Sequence, residues 1–273
     1  MSFTQRLREV QINQNSLLCI GLDVDENKIP AHIQSMRNPV LEFNRRIIEA
    51  THDLVCAYKP NLAFYEATGE SGITALRETL KIIPKSVLTI GDGKRGDIGN
   101  TAERYAQSLF SDFGFDSATV NPYMGFDSIA PFLADPEKGV FILALTSNAG
   151  SKDFQRLKVG TKPLYEKVVY RVKKWDKYQN IGLVVGATHP KELRCIRKIV
   201  PNMPLLIPGV GKQGGDLKSA IRNGCDKHGQ LAVINASRSI IFASSGIDFA
   251  EAARSEAKKM VEEMRKYVEQ LNN

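Results

Sequence analysis

The chain has 273 residues, 42% hydrophobic and 25% charged, with a formal charge of +7. That is a globular composition, long enough for one large core and free of low-complexity tracts, of an apolar span able to cross a membrane and of a secretory leader, so we expect a soluble cytoplasmic protein. With no basic block and no zinc-finger spacing, nothing supports nucleic acid as a partner, and the modest positive balance suits a small anionic substrate. The cysteines (Cys19, Cys56, Cys195, Cys225) form no CxxC pair and read as free thiols in a reducing compartment. The scattered histidines offer no HxH or HExxH metal site, although isolated carboxylates leave magnesium open.

In chain order, FTQRLREVQ reads as an N-terminal helix, followed by a first strand LLCIGLD (17–23). A helix opens at Pro39 and places Val40, Phe43, Ile47 and Ile48 on one side; LVCAYK (54–59) is the second strand. The helix SGITALRETLKII precedes strand three, VLTIGD (87–92), and Asn100 and Glu103 have capping-box spacing before RYAQSLF. SATV (117–120), GVFILAL (139–145), IGLVVG (181–186), PLLIPG (204–209) and LAVINA (231–236) complete the strands. Further helices are expected around 126–134, 162–178, 190–199 and 215–225. The last helix recurs at Phe249, Ala253, Ala257, Met260, Met264 and Leu271, a core-packing stripe. Several strands are apolar almost throughout, as parallel strands covered on both sides are.

Eight strands, each followed by a helical stretch over about 250 residues, predict an α/β fold, a (β/α)8 TIM barrel in a single domain (1–273) with an N-terminal helix closing its bottom. The rival is an open doubly wound sheet, but strand one is followed by DVDENKIPAHI and no GxGxxG. The longest connection, 146–160, is a candidate lid or substrate-facing loop.

Chemistry in such a barrel belongs at the C-terminal strand ends. Those ends carry Asp23, Lys59, Asp92 with Lys94, then Thr146, Ser147 and Asn148, then Gln213 and Arg238. If extended geometry persists to residue 94, Asp92 and Lys94 face the same way; Lys59 approaches from the next strand and Asp97 returns toward the Lys94 ammonium. A lysine between carboxylates stays protonated and suits a proton donor; the plain alternative is a structural ion-pair network. PGVGKQGGD (208–216) and NASRSI (235–240) offer a phosphate grip, with glycine amides, a following helix, Gln213 and Arg238, unless the glycines merely form a flexible turn. Ser147 and Asn148 either read a planar ring or cap the long loop's helix.

DGKRGDIGNTAERYA resembles the signature of the orotidine 5′-phosphate decarboxylases, particularly their longer bacterial subfamily (type 2), with Asp92, Lys94 and Asp97 in the charged core and Ile98 and Thr101 continuing it. GLD, YKPNLAFYE, TVNPYMGFDS, LTSNAGSKDFQ, VVGATHP and PGVGKQGGD extend the similarity over nearly the whole chain. The resemblance implies decarboxylation of orotidine 5′-phosphate to UMP, the last step of de novo pyrimidine synthesis, with no metal or organic cofactor. It implies Lys59, Asp92, Lys94 and Asp97 as the catalytic array and Asp23, with Lys59, at the ribose hydroxyls. Thr101, Ser147 and Asn148 become further substrate contacts, and Gln213 and Arg238 the phosphate grip. It also implies a homodimer in which Asp97 crosses into the partner's site. The competing readings are a Schiff-base aldolase or isomerase acting on a sugar phosphate through Lys94 or Lys59, and a non-catalytic nucleotide-binding protein.

Overall fold

The computed structural model describes residues 1–211 and 214–272. Eight parallel strands follow one another around a closed barrel: β1 (Leu18–Leu22), β2 (Ala57–Pro60), β3 (Leu88–Arg95), β4 (Ser117–Val120), β5 (Gly139–Leu145), β6 (Ile181–Val185), β7 (Leu205–Pro208) and β8 (Ala232–Ala236). β8 pairs with β1 and completes the ring. Helices Pro39–Thr51, Gly69–Ile82, Gly99–Gln107, Leu164–Trp175, Pro190–Ile199, Leu217–Gly224 and Phe249–Asn272 fall between and after the strands. The barrel expectation holds.

Strand alternation sorts the side chains. Leu18, Ile20 and Leu22 pack into the layer beneath the helices, whereas Cys19, Ala57, Leu88 and Ile90 pack inside the barrel. Continuing those inward rows upward by steps of two leads from Cys19 to Asp23, from Ala57 to Lys59 and from Ile90 to Asp92. An apolar floor thus turns into a charged rim within one or two side-chain layers.

The helix Phe3–Gln14 closes the bottom. Its Ser2 cap forms a reciprocal capping box with Gln5. Phe3 meets Phe141 edge to face at 5.9 Å, and Leu7 is buried beside it in the floor cluster. Gln11 donates to the Ala232 carbonyl (2.8 Å) and accepts from the Leu231 amide (2.9 Å), satisfying backbone groups at the start of β8. Nearby, buried Arg197 donates to the carbonyls of Gly224, Val200 and Met203 at 2.6–2.9 Å. Burial pulls its pKa down to about 10, which leaves it charged at neutral pH.

Three local expectations change. Residues 126–134 form hydrogen-bonded turns and the 3-10 segment Ala130–Leu133 in place of an α-helix, and Pro131 near its start has no N–H to donate to an upstream carbonyl. The helix after β3 starts at Gly99, and Ile98 precedes it without a side-chain cap, so Asn100 lies inside the first turn and forms no capping box. In the C-terminal stripe, Phe249, Ala253, Ala257 and Met264 are buried, but Leu271 is 37% exposed beyond the edge of the barrel. Phe249 stacks on Phe43 at 5.1 Å; burying such a side chain contributes about 1.5–3 kcal/mol. The long connection after β5 is pinned: Gln155 holds both the Thr146 amide and hydroxyl at 2.8 Å, and His189 bonds the Thr146 carbonyl at 3.1 Å. Arg156 ties the same loop to Glu192 at 2.7 Å.

Candidate active site

At the C-terminal mouth of the barrel lies a cavity of about 350 Å³. Asp23, Lys59 and Asp92 form one wall, and Pro208, Gly209, Val210 and Arg238 another. Asp92 is the junction of the charged rim. Its Oδ2 accepts from Lys59 Nζ at 2.6 Å, and its Oδ1 accepts from Lys94 Nζ at 2.5 Å and from Thr119 Oγ1 at 2.9 Å. Lys59 Nζ is also 3.8 Å from Asp23 Oδ1.

Burial opposes charge on both members of the central pair, yet the pairing wins. For Lys59, the Asp92 and Asp23 carboxylates outweigh desolvation and raise its pKa above the ordinary lysine value. For Asp92, the Lys59 and Lys94 ammonium groups outweigh desolvation and hold its carboxyl well below the usual carboxylate range. The depressed carboxyl stabilises the fold fully above about pH 4 and loses that contribution as pH falls through its folded pKa. The raised ammonium stabilises it fully below about pH 10 and loses that contribution as pH rises through its own. Across the neutral range both remain charged.

The reach of Lys94 does not come from continued strand geometry. Its φ is +47°, a left-handed conformation uncommon outside glycine, and the β3–β4 register shifts between Gly91 and Arg95. The Lys94 amide consequently leaves the ladder and donates to Thr119 Oγ1 at 2.9 Å. The long side chain then folds back to Asp92, with 45% of it exposed against 8% for Asp92. Arg95 points away, paired with Glu66 and lying over the Tyr105 ring.

Asp97 does not return to the ammonium of its own chain. Its Oδ1 accepts from the Ile98 amide at 2.8 Å, and among the described residues it forms no ion pair with Lys94. Thr101 is exposed on the following helix, outside the cavity wall. Asp23 Oδ1 and Ser147 Oγ are both buried without hydrogen-bond partners among the described residues, so each retains polar capacity. Ser147 requires glycine opposite it: a Cβ on Gly186 would come within 2.2 Å of its Oγ. Exposed Asn148 precedes the 3-10 turn Ala149–Lys152 without capping it, and accepts instead from Thr146 Oγ1 at 2.6 Å.

The glycine-rich loop differs from expectation in its amides. Gly209, Gly211 and Gly214 all have positive φ, which only glycine adopts without strain. Gly211, Gly214 and Gly215 donate to carbonyls within the loop at 2.7–3.0 Å and are therefore not turned onto the cavity. The helix behind it is capped by Asp216, which accepts from Ser219. Gln213 lies outside the described residues. Arg238 opens the short helix Arg238–Ile241 in the cavity wall, and among the described residues it forms no ion pair.

Sequence reading missed Thr119, Asn61, Phe64, Asp25 and Lys28. Asn61 bridges to the Asp92 backbone, and Asp25 pairs with Lys28 at 2.8 Å beside the cavity. The YKPNLAF stretch contains a signal for Asn61 and Phe64, since both follow the β2 end; Thr119 opens the TVNPYMGFDS stretch, but nothing in it marks the hydroxyl as a bridge.

The profile described as "Orotidine 5'-phosphate decarboxylase / HUMPS family" matches residues 16–267. Orotidine 5'-phosphate decarboxylase of Dehalococcoides mccartyi (strain ATCC BAA-2100) is 50% identical over 246 residues, 89% of each chain. That of Christiangramia forsetii is 50% identical over 242 residues, covering 88% of this chain and 89% of its own. The solved structure of Leishmania donovani OMP decarboxylase superposes with a TM-score of 0.86 at 39% identity, over 98% of this chain and 99% of that one. With the match spanning the barrel from β1 into the last helix, the chain belongs to the orotidine 5′-phosphate decarboxylase / HUMPS family.

Proposed function

We propose that this protein decarboxylates orotidine 5′-phosphate to UMP and CO2, the last step of de novo UMP synthesis. The observation that carries the reading is the Lys59–Asp92–Lys94 array, with its 2.6 and 2.5 Å contacts, beside a cavity walled by Arg238. Loss of CO2 from C6 leaves a carbanion in the plane of the pyrimidine ring, outside its π system. A fixed ammonium at Lys94 stabilises that charge as it develops and then donates a proton to C6. Asp92 faces the departing carboxylate, and Lys59 holds Asp92 in place. Asp23, whose Oδ1 has no hydrogen-bond partner among the described residues, accepts from a ribose hydroxyl. Ser147 and Asn148 contact the pyrimidine, and Gln213 and Arg238 the phosphate.

Lys59 is held protonated, which weighs against a Schiff-base aldolase using that amine. The test is chelator-treated protein with orotidine 5′-phosphate, following orotate absorbance and released CO2. Turnover in EDTA supports cofactor-free decarboxylation; no turnover by several well-folded preparations overturns it.

We place the whole chain, 1–273, in one cytoplasmic barrel domain of the longer bacterial subfamily. The half-identical bacterial relatives and the long connection after β5 support this. Among the described residues no helix is long and apolar enough to cross a membrane. We also propose a homodimer in which Asp97 enters the partner's site, with Thr101 a further substrate contact. Its support is the outward placement of Asp97 together with exposed apolar groups along the same rim, Ile98 at 53% and Tyr123 at 80%.

Asp97→Asn and Lys94→Ala chains are each expected to be poor enzymes alone, yet to complement after subunit exchange. One site of each heterodimer then carries both changes and the other neither, so an equal mixture regains about a quarter of the wild-type sites. Native mass spectrometry establishes exchange. No recovery despite confirmed heterodimers would place Asp97 in its own chain's site.

A further inference from the structure

We infer that Thr119 is a positioning residue for the reaction, its single hydroxyl setting both the carboxylate of Asp92 and the backbone of Lys94. The hydroxyl donates to Asp92 Oδ1 at 2.9 Å and accepts from the Lys94 amide at 2.9 Å. Both roles use its hydrogen-bonding capacity in definite directions, because the amide can only donate and the ionised carboxylate can only accept. Thr119 is 1% exposed, so water does not compete for either bond.

The backbone explains why such a clamp matters. Lys94 at φ +47° is left without a ladder partner where the register shifts, and Thr119 supplies the missing acceptor. The same hydroxyl joins the oxygen of Asp92 that receives Lys94 Nζ, so the two ends of the lysine are fixed through one atom. The ring formed by Thr119 Oγ1, the Lys94 amide, the lysine side chain and Asp92 Oδ1 determines where the ammonium sits. A β-branched residue has few χ1 choices, and the neighbouring ladders of β4 with β3 and β5 hold the backbone that carries it. Thr119 therefore acts through Lys94 and Asp92 and does not itself touch the substrate.

The proposal rests on the decarboxylase reading, in which the position of the Lys94 ammonium governs proton delivery. Small displacements of a preorganised group weaken transition-state stabilisation more than ground-state binding. Thr119→Val keeps the shape and removes both hydrogen bonds; Thr119→Ser keeps both and removes the methyl group.

The experiment compares kcat and KM for orotidine 5′-phosphate, UMP affinity and thermal unfolding in wild type and both variants. Thr119→Val is expected to lose about 10- to 100-fold in kcat, the scale of one hydrogen bond to a charged group, with KM and UMP affinity within about 3-fold. Thr119→Ser is expected to stay within about 3-fold of wild type in all three. Wild-type kcat in folded Thr119→Val overturns the proposal, and so does a Thr119→Ser variant as slow as Thr119→Val, which would assign the effect to the methyl group. Should Thr119→Val not fold, Thr119→Ala carries the comparison: a kcat loss rescued by serine supports the clamp, and wild-type kcat overturns it. Absence of turnover by the wild-type chain overturns the decarboxylase reading and the proposal with it, whereas wild-type turnover matched by Thr119→Val overturns the proposal alone.

Discussion

Replacing Lys94 by alanine should lower kcat/KM for orotidine 5′-phosphate by at least ~10³-fold while leaving the barrel folded. Each tenfold fall corresponds to ~1.4 kcal/mol, so the expectation requires a loss of roughly 4 kcal/mol of transition-state stabilisation. On the proposed mechanism two functions disappear together, the positive charge beside the developing carbanion and the proton that quenches it. The fold should tolerate the change because the Lys94 side chain is 45% exposed and its removal leaves Asp92 bonded to Lys59 and Thr119. UMP affinity should change little if, as proposed, Arg238 grips the other end of the nucleotide. Lys94→Arg should rescue poorly: a planar guanidinium cannot place its proton where a compact ammonium did, beside an Asp92 that still accepts from Lys59 and Thr119. Steady-state kinetics with circular dichroism and UMP titration provide the check. Near-wild-type turnover by folded Lys94→Ala would return the array to a structural ion-pair network.

The barrel was legible because its signals are local. Apolar runs such as GVFILAL and SATV end where β5 and β4 end, since strands covered on both sides leave few polar positions inside their bounds. The meeting of Lys59 with Asp92 was legible as well, because adjacent parallel strands in known order put their end residues side by side. Its supporting geometry was not. Lys94 reaches Asp92 from a left-handed backbone that no period-two pattern anticipates, and a flexible four-carbon stem makes the contact attainable from either conformation. Thr119 looks like any small strand residue until its hydroxyl is placed between two others. The amides of the glycine loop show the reverse error: the sequence showed where the chain can turn, but not which carbonyls its N–H groups would meet. Asp97 marks a third limit: its Oδ1 meets only the neighbouring Ile98 amide, and a role across a subunit interface, as proposed above, would have no partner encoded along its own chain.

Arg238→Ala should weaken catalysis far more for the full nucleotide than for orotidine, which lacks the phosphate. Truncating one partner of a buried, hydrogen-bonded charge pair costs about 2–5 kcal/mol, or roughly 30- to several thousand-fold in kcat/KM. Arg238 is exposed in the free chain and forms no ion pair among the described residues, so its removal breaks no internal contact of that kind. That places the expected loss toward the lower end, at about 30- to 100-fold, because water can partly replace the guanidinium around the phosphate. Orotidine should lose less than about 3-fold, since it carries no phosphate for Arg238 to hold in the proposed binding mode. The amides of Gly211, Gly214 and Gly215 are engaged within their own loop, so in the proposed binding mode Arg238 would carry a larger share of the grip than beside a glycine-rich anion cradle. UMP affinity should fall in parallel and uridine affinity should not. Equal proportional losses toward both substrates would show general disruption of the site and remove Arg238 from the phosphate role.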